Sequence, residues 1–132
     1  MTDYSKASTA ELQTPRYAFD TIEAKGHRPI VRWEFPEFQS LCPVSERQDQ
    51  GTVVVTYRPQ EKILESKSVR DYFFAWRNLK NWQEYVTEEI ADALFAACEP
   101  EWLVVEITWA PRGGIFATTV ARRGDRSSIE TV

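Results

Sequence analysis

Trp102-Leu103-Val104-Val105-Glu106-Ile107-Thr108-Trp109-Ala110 sets Leu103, Val105, Ile107 and Trp109 on one side of an extended chain. Successive side chains of a strand point to opposite faces, so this run reads as a strand with one buried face. Pro111-Arg112-Gly113-Gly114 follows as a turn, and Ile115 to Arg122 returns as the next strand. Upstream, Val86, Ile90, Ala93, Leu94 and Ala97 form the apolar stripe of a helix that Pro100 stops. Asn81 suits its N-cap, with Glu84 three residues on as the second half of a capping box. An earlier helix opens in Glu65-Ser66-Lys67-Ser68-Val69-Arg70, with Ser66 or Ser68 as cap and Val69, Tyr72, Phe73 and Trp76 on its apolar side. Before it, Thr52 to Arg58 is β-branched and aromatic, and Val31, Trp33 and Phe35 alternate with Arg32 and Glu34 until Pro36 ends the strand. That hairpin places Cys42 and Asp49 in its connection, at the rim of a sheet. The order is β-β-α-α-β-β, an α+β fold with a four-stranded antiparallel sheet and two helices on one face. Such a sheet has two open edges, and pairing of edges between subunits is one way to close them, so an oligomer is expected.

The chain has 132 residues, enough for one modest core. Residues 1–26 are polar and aperiodic and read as an N-terminal arm or loosely docked lead-in; residues 27–123 form the domain, and residues 124–132 are a polar C-terminal tail. The net charge of −4 argues against clamping long nucleic acid by its phosphates, so no direct nucleic-acid contact is expected. Two cysteines do not make a disulfide framework, no apolar run is long enough to span a membrane, and no signal-peptide core is present. These features fit a reducing, cytoplasmic setting. His27, the sole histidine, lies beside a Gly/Pro boundary and reads as a loop residue. With one histidine and two distant cysteines no zinc-ligand spacing exists, and no metal is expected.

Three stretches could carry chemistry. Phe38-Gln39-Ser40-Leu41-Cys42-Pro43, with Asp49 downstream, offers a nucleophilic thiol and a proton donor, or a buried thiol and a turn residue. Lys67 and Arg70 lie three apart at a helix start, where free amides also attract anions; with Arg112 they suit a phosphate group, or form a solvated basic face. In Trp82-Gln83-Glu84 an aromatic ring precedes a carboxylate able to accept two N–H bonds from a guanine-like edge, or the segment is a helix cap.

Taken in order, these motifs resemble the short, unimodular 7-cyano-7-deazaguanine reductases, from about Ile30 to Gly124. The matching residues are Pro36 to Pro43, Asp49, Glu65 to Arg70, Phe74-Ala75-Trp76-Arg77-Asn78, Glu84 and Pro111 to Ile115. The resemblance implies a tunnelling fold, whose subunits join their sheets into a barrel with active sites between subunits. It also implies NADPH-dependent reduction of the nitrile of 7-cyano-7-deazaguanine to an aminomethyl group in queuosine biosynthesis. Cys42 would form a thioimide and Asp49 would protonate the nitrogen. Glu84 and Gln83, with backbone near Leu64 and Ser66, would bind the deazapurine. Lys67, Arg70, Arg112 and Gly113 would bind the cofactor. Gln83 stands where the family usually has histidine, Arg70 replaces a more usual lysine, and Ser45-Glu46-Arg47-Gln48 replaces a Gly/Pro-containing turn. Two alternatives remain: an amidinotransferase-like relative acting on modified tRNA, against which the retained Glu65-Ser66-Lys67-Ser68 argues, and a non-catalytic purine- or pterin-binding protein.

Overall fold

The computed structural model describes residues 12–125. Its elements in order are β1 (Thr21–Glu23), β2 (Val31–Leu41), β3 (Gln48–Arg58), β4 (Lys62–Leu64), α1 (Ser66–Ala75), α2 (Gln83–Cys98), β5 (Trp102–Arg112) and β6 (Ile115–Gly124). The four long strands form one antiparallel sheet in the order β2-β3-β5-β6, while β1 and β4 pair as a separate two-stranded ribbon. The β-β-α-α-β-β framework is present, with one short strand added before it and another inside it.

The alternation in β5 sets the core. Leu103, Val105 and Ile107 are 0% exposed and Trp109 2%, and they face Val53, Val55 and Tyr57 of β3 on the same side. Helix α2 covers β5 and β6 with Val86, Ile90 and Leu94, and α1 packs against β2. Burial of side chains this size stabilises by roughly 1.5–3 kcal/mol each. Phe38 ties the layers together, lying edge-on to both Phe73 of α1 and Trp109 of β5. The buried Tyr57 hydroxyl accepts the Leu64 N–H at 3.0 Å and so fastens β4 to β3. Burial pushes the Tyr57 pKa up to about 12. Among the described residues no helix is long and apolar enough to cross a membrane.

Several sequence expectations change. Pro36 does not end the first strand: β2 continues to Leu41 through a bulge between Phe35 and Phe38. β2 is an edge strand of the protomer's sheet, where a missing N–H breaks no ladder bond, and the extra residue shifts the phase so that Phe38 and Ser40 point inward. Asp49 is not in the connection but inside β3, paired with Ser40 and 4% exposed. The cap of α1 is Glu65, not Ser66 or Ser68; its carboxylate accepts the Lys67 and Ser68 N–H groups at 2.7 and 2.8 Å. The cap of α2 is Trp82, without a side-chain cap bond, because Asn81 turns its Oδ1 to the Trp82 N–H instead. The described part of the lead-in is docked: Gln13 N–H donates to Lys80 O, and Tyr17 and Phe19 pack on Tyr72 at 5.7 and 4.8 Å. Residues 1–11 of the expected arm and 126–132 of the expected tail lie outside the described residues.

Gly124 closes β6 at φ +94°, and a Cβ there would sit 2.4 Å from the Glu101 carbonyl oxygen. Positive φ and a backbone clash both oppose a side chain, with strain of about 1–3 kcal/mol from the dihedral alone. Gly124→Ala is expected to lower Tm by several degrees with the fold retained; an unchanged Tm in a thermal melt would contradict that.

Candidate active site

Cys42 follows β2 at the mouth of a closed turn. Its N–H donates to Arg47 O at 2.9 Å, and Glu46 N–H donates back to Cys42 O at 3.0 Å. The chain before α2 is pinned to this same place. Leu41 N–H donates to Leu79 O, Asn81 N–H donates to Leu41 O, and Lys80 pairs with Glu46 at 2.6 Å. Asn81, fully buried, also donates through Nδ2 to Gln13 O and Glu89 Oε2. This clip sets Trp82, Gln83 and Glu84 opposite the thiol.

Between them lies a cavity of about 560 Å³. Cys42, Ser45, Asp49 and Arg112 line one side and Trp82, Gln83 and Glu84 another, with Ile115 at the edge. Asp49 is delivered by the period of β3, which carries the inward face of Val53, Val55 and Tyr57 back to its first turn. Arg112, the last residue of β5, donates from Nη1 to Asp49 Oδ1 at 2.5 Å and from Nη2 to Ser45 Oγ at 3.1 Å. Gly113 and Gly114 both have positive φ, 60° and 82°, and make the two-residue turn that returns β6 against β5.

The electrostatics separate the two cysteines. Burial is the largest influence on the Cys42 thiol and pushes its pKa up. The Ser45 hydroxyl and the Ser45 and Val44 amides outweigh it, so the net shift is downward, against a smaller upward push from the Asp49 charge. Cys98 is 1% exposed on α2, and burial drives its pKa up to about 12. A thiolate is the nucleophilic form, so of the two cysteines Cys42 is the better suited to react, while Cys98 packs in the core. The Arg112 pKa is raised, first by its hydrogen bond to Asp49 and, more weakly, by Cys42.

The expected site residues fall into two groups. Cys42, Asp49, Gln83, Glu84 and Arg112 share the cavity just described. Ser66, Lys67 and Arg70 line a different one, of about 410 Å³, with Trp33 and Phe35. Leu64 is buried, and its N–H is taken by Tyr57. Arg112 therefore stands apart from Lys67 and Arg70 within one chain. The free helix-start amides expected for anion binding are partly occupied, since Glu65 holds those of Lys67 and Ser68. Two contributors escaped the sequence reading. Ser45 looked like an ordinary turn residue, though its position three after the cysteine places it within a single turn of the thiol. Asn81 was legible as a helix cap but not as the clip joining the lead-in, β2 and α2.

Comparison with known proteins places these residues in context. The profile of the family described as QueF-like protein matches residues 48–128. An NADPH-dependent 7-cyano-7-deazaguanine reductase of Anaeromyxobacter sp. (strain K) is 39% identical over 103 residues, 77% of this chain and 84% of the relative. A protein of the same name from Desulfovibrio desulfuricans is 44% identical over 85 residues, 64% of this chain. The match spans 51% of that longer relative, about half its length. Among solved structures, the archaeosine synthase QueF-Like in its apo form superposes with a TM-score of 0.68 at 23% identity, covering 73% of this chain and 94% of that one. At that identity the likeness is one of fold.

Proposed function

The chain belongs to the QueF-like protein family, and on that footing we propose that it reduces the nitrile of 7-cyano-7-deazaguanine to 7-aminomethyl-7-deazaguanine with NADPH, in queuosine biosynthesis. The observation that carries the reading is a single cavity holding a thiol of lowered pKa, a buried carboxylate beside it, and an indole and a second carboxylate opposite.

A nitrile accepts hydride poorly, and covalent capture converts it to a polarised C=N. The Cys42 sulfur bonds to the nitrile carbon while the thiol proton ends on nitrogen, giving a thioimide with no net gain or loss of atoms. Asp49 accepts a hydrogen bond from Arg112, which suits a carboxylate, so the proton that it hands to nitrogen is one it first takes from the thiol. NADPH, when bound, supplies one hydride per molecule, and two are needed to reach the amine. Each hydride added to carbon is matched by a proton that Asp49 relays from water to nitrogen. After the first, Cys42 leaves as thiolate, and the same lowered pKa that favours attack favours departure. Glu84 accepts the N–H groups of the guanine-like edge, Trp82 lies against the ring, and Gln83 adds a hydrogen bond.

Lys67 and Arg70 fit a cofactor that carries phosphates: both are exposed cations at the start of α1, beside Ser66 and the Trp33 ring. They, with Ser66 and backbone near Leu64, reach the reacting carbon only if a second copy of the chain brings its α1 to the Cys42 cavity. Arg112 and Gly113 then meet the cofactor across the subunit boundary. A homo-oligomer with shared sites is supported by the open edges of β2 and β6, by Ile115, 72% exposed at the cavity rim, and by its neighbour Phe116, 82% exposed.

The test is a coupled measurement of NADPH oxidation and product mass with 7-cyano-7-deazaguanine. Two NADPH are expected to disappear per aminomethyl product, and Lys67→Ala is expected to raise KM for NADPH several-fold more than KM for the nitrile. A protein adduct without NADPH oxidation would point to a transferase, absence of both to a binding protein, and equal KM effects would contradict the role of Lys67.

A further inference from the structure

Ser45 has a hydroxyl whose bonding is nearly accounted for. Its oxygen accepts from Arg112 Nη2 at 3.1 Å and from the Arg47 N–H at 3.3 Å. A hydroxyl has two lone pairs and one O–H donor, so with both lone pairs engaged the only remaining capacity is the O–H itself. The turn closed by the Cys42 N–H to Arg47 O bond and the Glu46 N–H to Cys42 O bond keeps Ser45 three residues from Cys42, and both line the same cavity. Arg112 is in turn held by Asp49 through its other nitrogen, so acid, guanidinium and hydroxyl form one connected line along the cavity wall that Cys42 also lines.

We propose that Ser45 is a positioning residue for the reaction: oriented by Arg112, it directs its O–H to Cys42 and holds the sulfur as a thiolate within reach of Asp49. The inference rests on Cys42 being the nucleophile of the proposed reductase. The charges facing this sulfur explain the need for such a donor. Asp49 from β3 and Glu84 from α2 both oppose a second negative charge in the cavity, and only Arg112 from β5 favours it. Glu46 on the turn is engaged by Lys80. Arg112 is already committed to Asp49, so a neutral donor stabilises the thiolate without disturbing that pair. The downward shift of the Cys42 pKa, with the Ser45 hydroxyl as the first of the lowering influences, agrees with the geometry.

The test is the pH dependence of Cys42 alkylation by iodoacetamide, followed at the Cys42 peptide by mass spectrometry. Ser45 sits on an exposed turn, so its truncation leaves the core intact. Ser45→Ala is expected to slow alkylation about tenfold at neutral pH, as loss of a hydrogen bond to a charged group implies, and to move the profile to higher pH, with rates converging where both thiols are ionised. Ser45→Thr keeps the hydroxyl and is expected to restore the profile. Arg112→Lys keeps a charge but loses the fork that spans Asp49 and Ser45, and an intermediate profile is expected. An unshifted profile in Ser45→Ala, failure of threonine to rescue, or a wild-type profile in Arg112→Lys would overturn the proposal. Alkylation needs neither nitrile nor NADPH, so the proposal can fail while the reductase reading stands. The reductase reading can likewise fail with the alkylation profile as expected.

Discussion

Cys42→Ala is expected to form no covalent adduct with 7-cyano-7-deazaguanine and to lose turnover by about four or more orders of magnitude, as removal of a nucleophile does in enzymes that work through a covalent intermediate. The loss should not come from unfolding. Cys42 lies at the end of β2, partly exposed, and alanine keeps the backbone bonds to Arg47 and Glu46 that close the turn. Cys98 cannot substitute, since it is sealed in the core at the end of α2 with its pKa pushed up to about 12. A folded Cys42→Ala protein that still reduces the nitrile would remove the thioimide from the reaction.

Asp49→Asn separates the acid's two effects. Asparagine can still accept from Arg112 through its side-chain oxygen, so the strand and the Arg112 contact should persist. It cannot carry a proton, and turnover is expected to fall by about 10²–10⁴, the usual worth of a positioned general acid–base. The Asp49 charge raises the Cys42 pKa, so removing it should lower that pKa further. Thiolate is then present at lower pH, and alkylation below neutrality should become faster while reduction becomes slower. Opposite movement of the two rates is the signature. A parallel fall in both would mean that Asp49 acts by holding the structure.

The parts of the fold legible in the sequence are those where burial imposes a period. β5, with Leu103, Val105, Ile107 and Trp109 all buried, and α2, with Val86, Ile90 and Leu94, read directly because one face of each meets the core. Pro36 misled because a proline interrupts a central strand but not an edge, and the position of β2 at the edge of the protomer's sheet is a property of the whole sheet. β1 and β4, each three residues long, have too few side chains for any period, and their pairing depends on partners about forty positions apart. The cap of α1, expected at Ser66 or Ser68, is Glu65 because glutamate, an uncommon cap, reaches the two amides that serine was expected to satisfy.

The site divides in the same way. Cys42, Asp49 and Glu84 were identifiable as a set through their motifs, and they do face one cavity. Arg112 was assigned to cofactor phosphates, and the structure pairs it with Asp49, sixty-three positions away. That partner could not be read from the local Pro-Arg-Gly-Gly turn. Extending the inward phase of Val53 and Val55 back along β3 would have predicted a buried Asp49, and a buried carboxylate calls for a cation.

The most direct measurement is the mass of the protein mixed with 7-cyano-7-deazaguanine in the absence of NADPH, followed by peptide mapping. The account predicts a mass increase equal to one substrate molecule per chain, located on the peptide containing Cys42 and lost on addition of NADPH. No increase, or an increase located at Cys98, would contradict it.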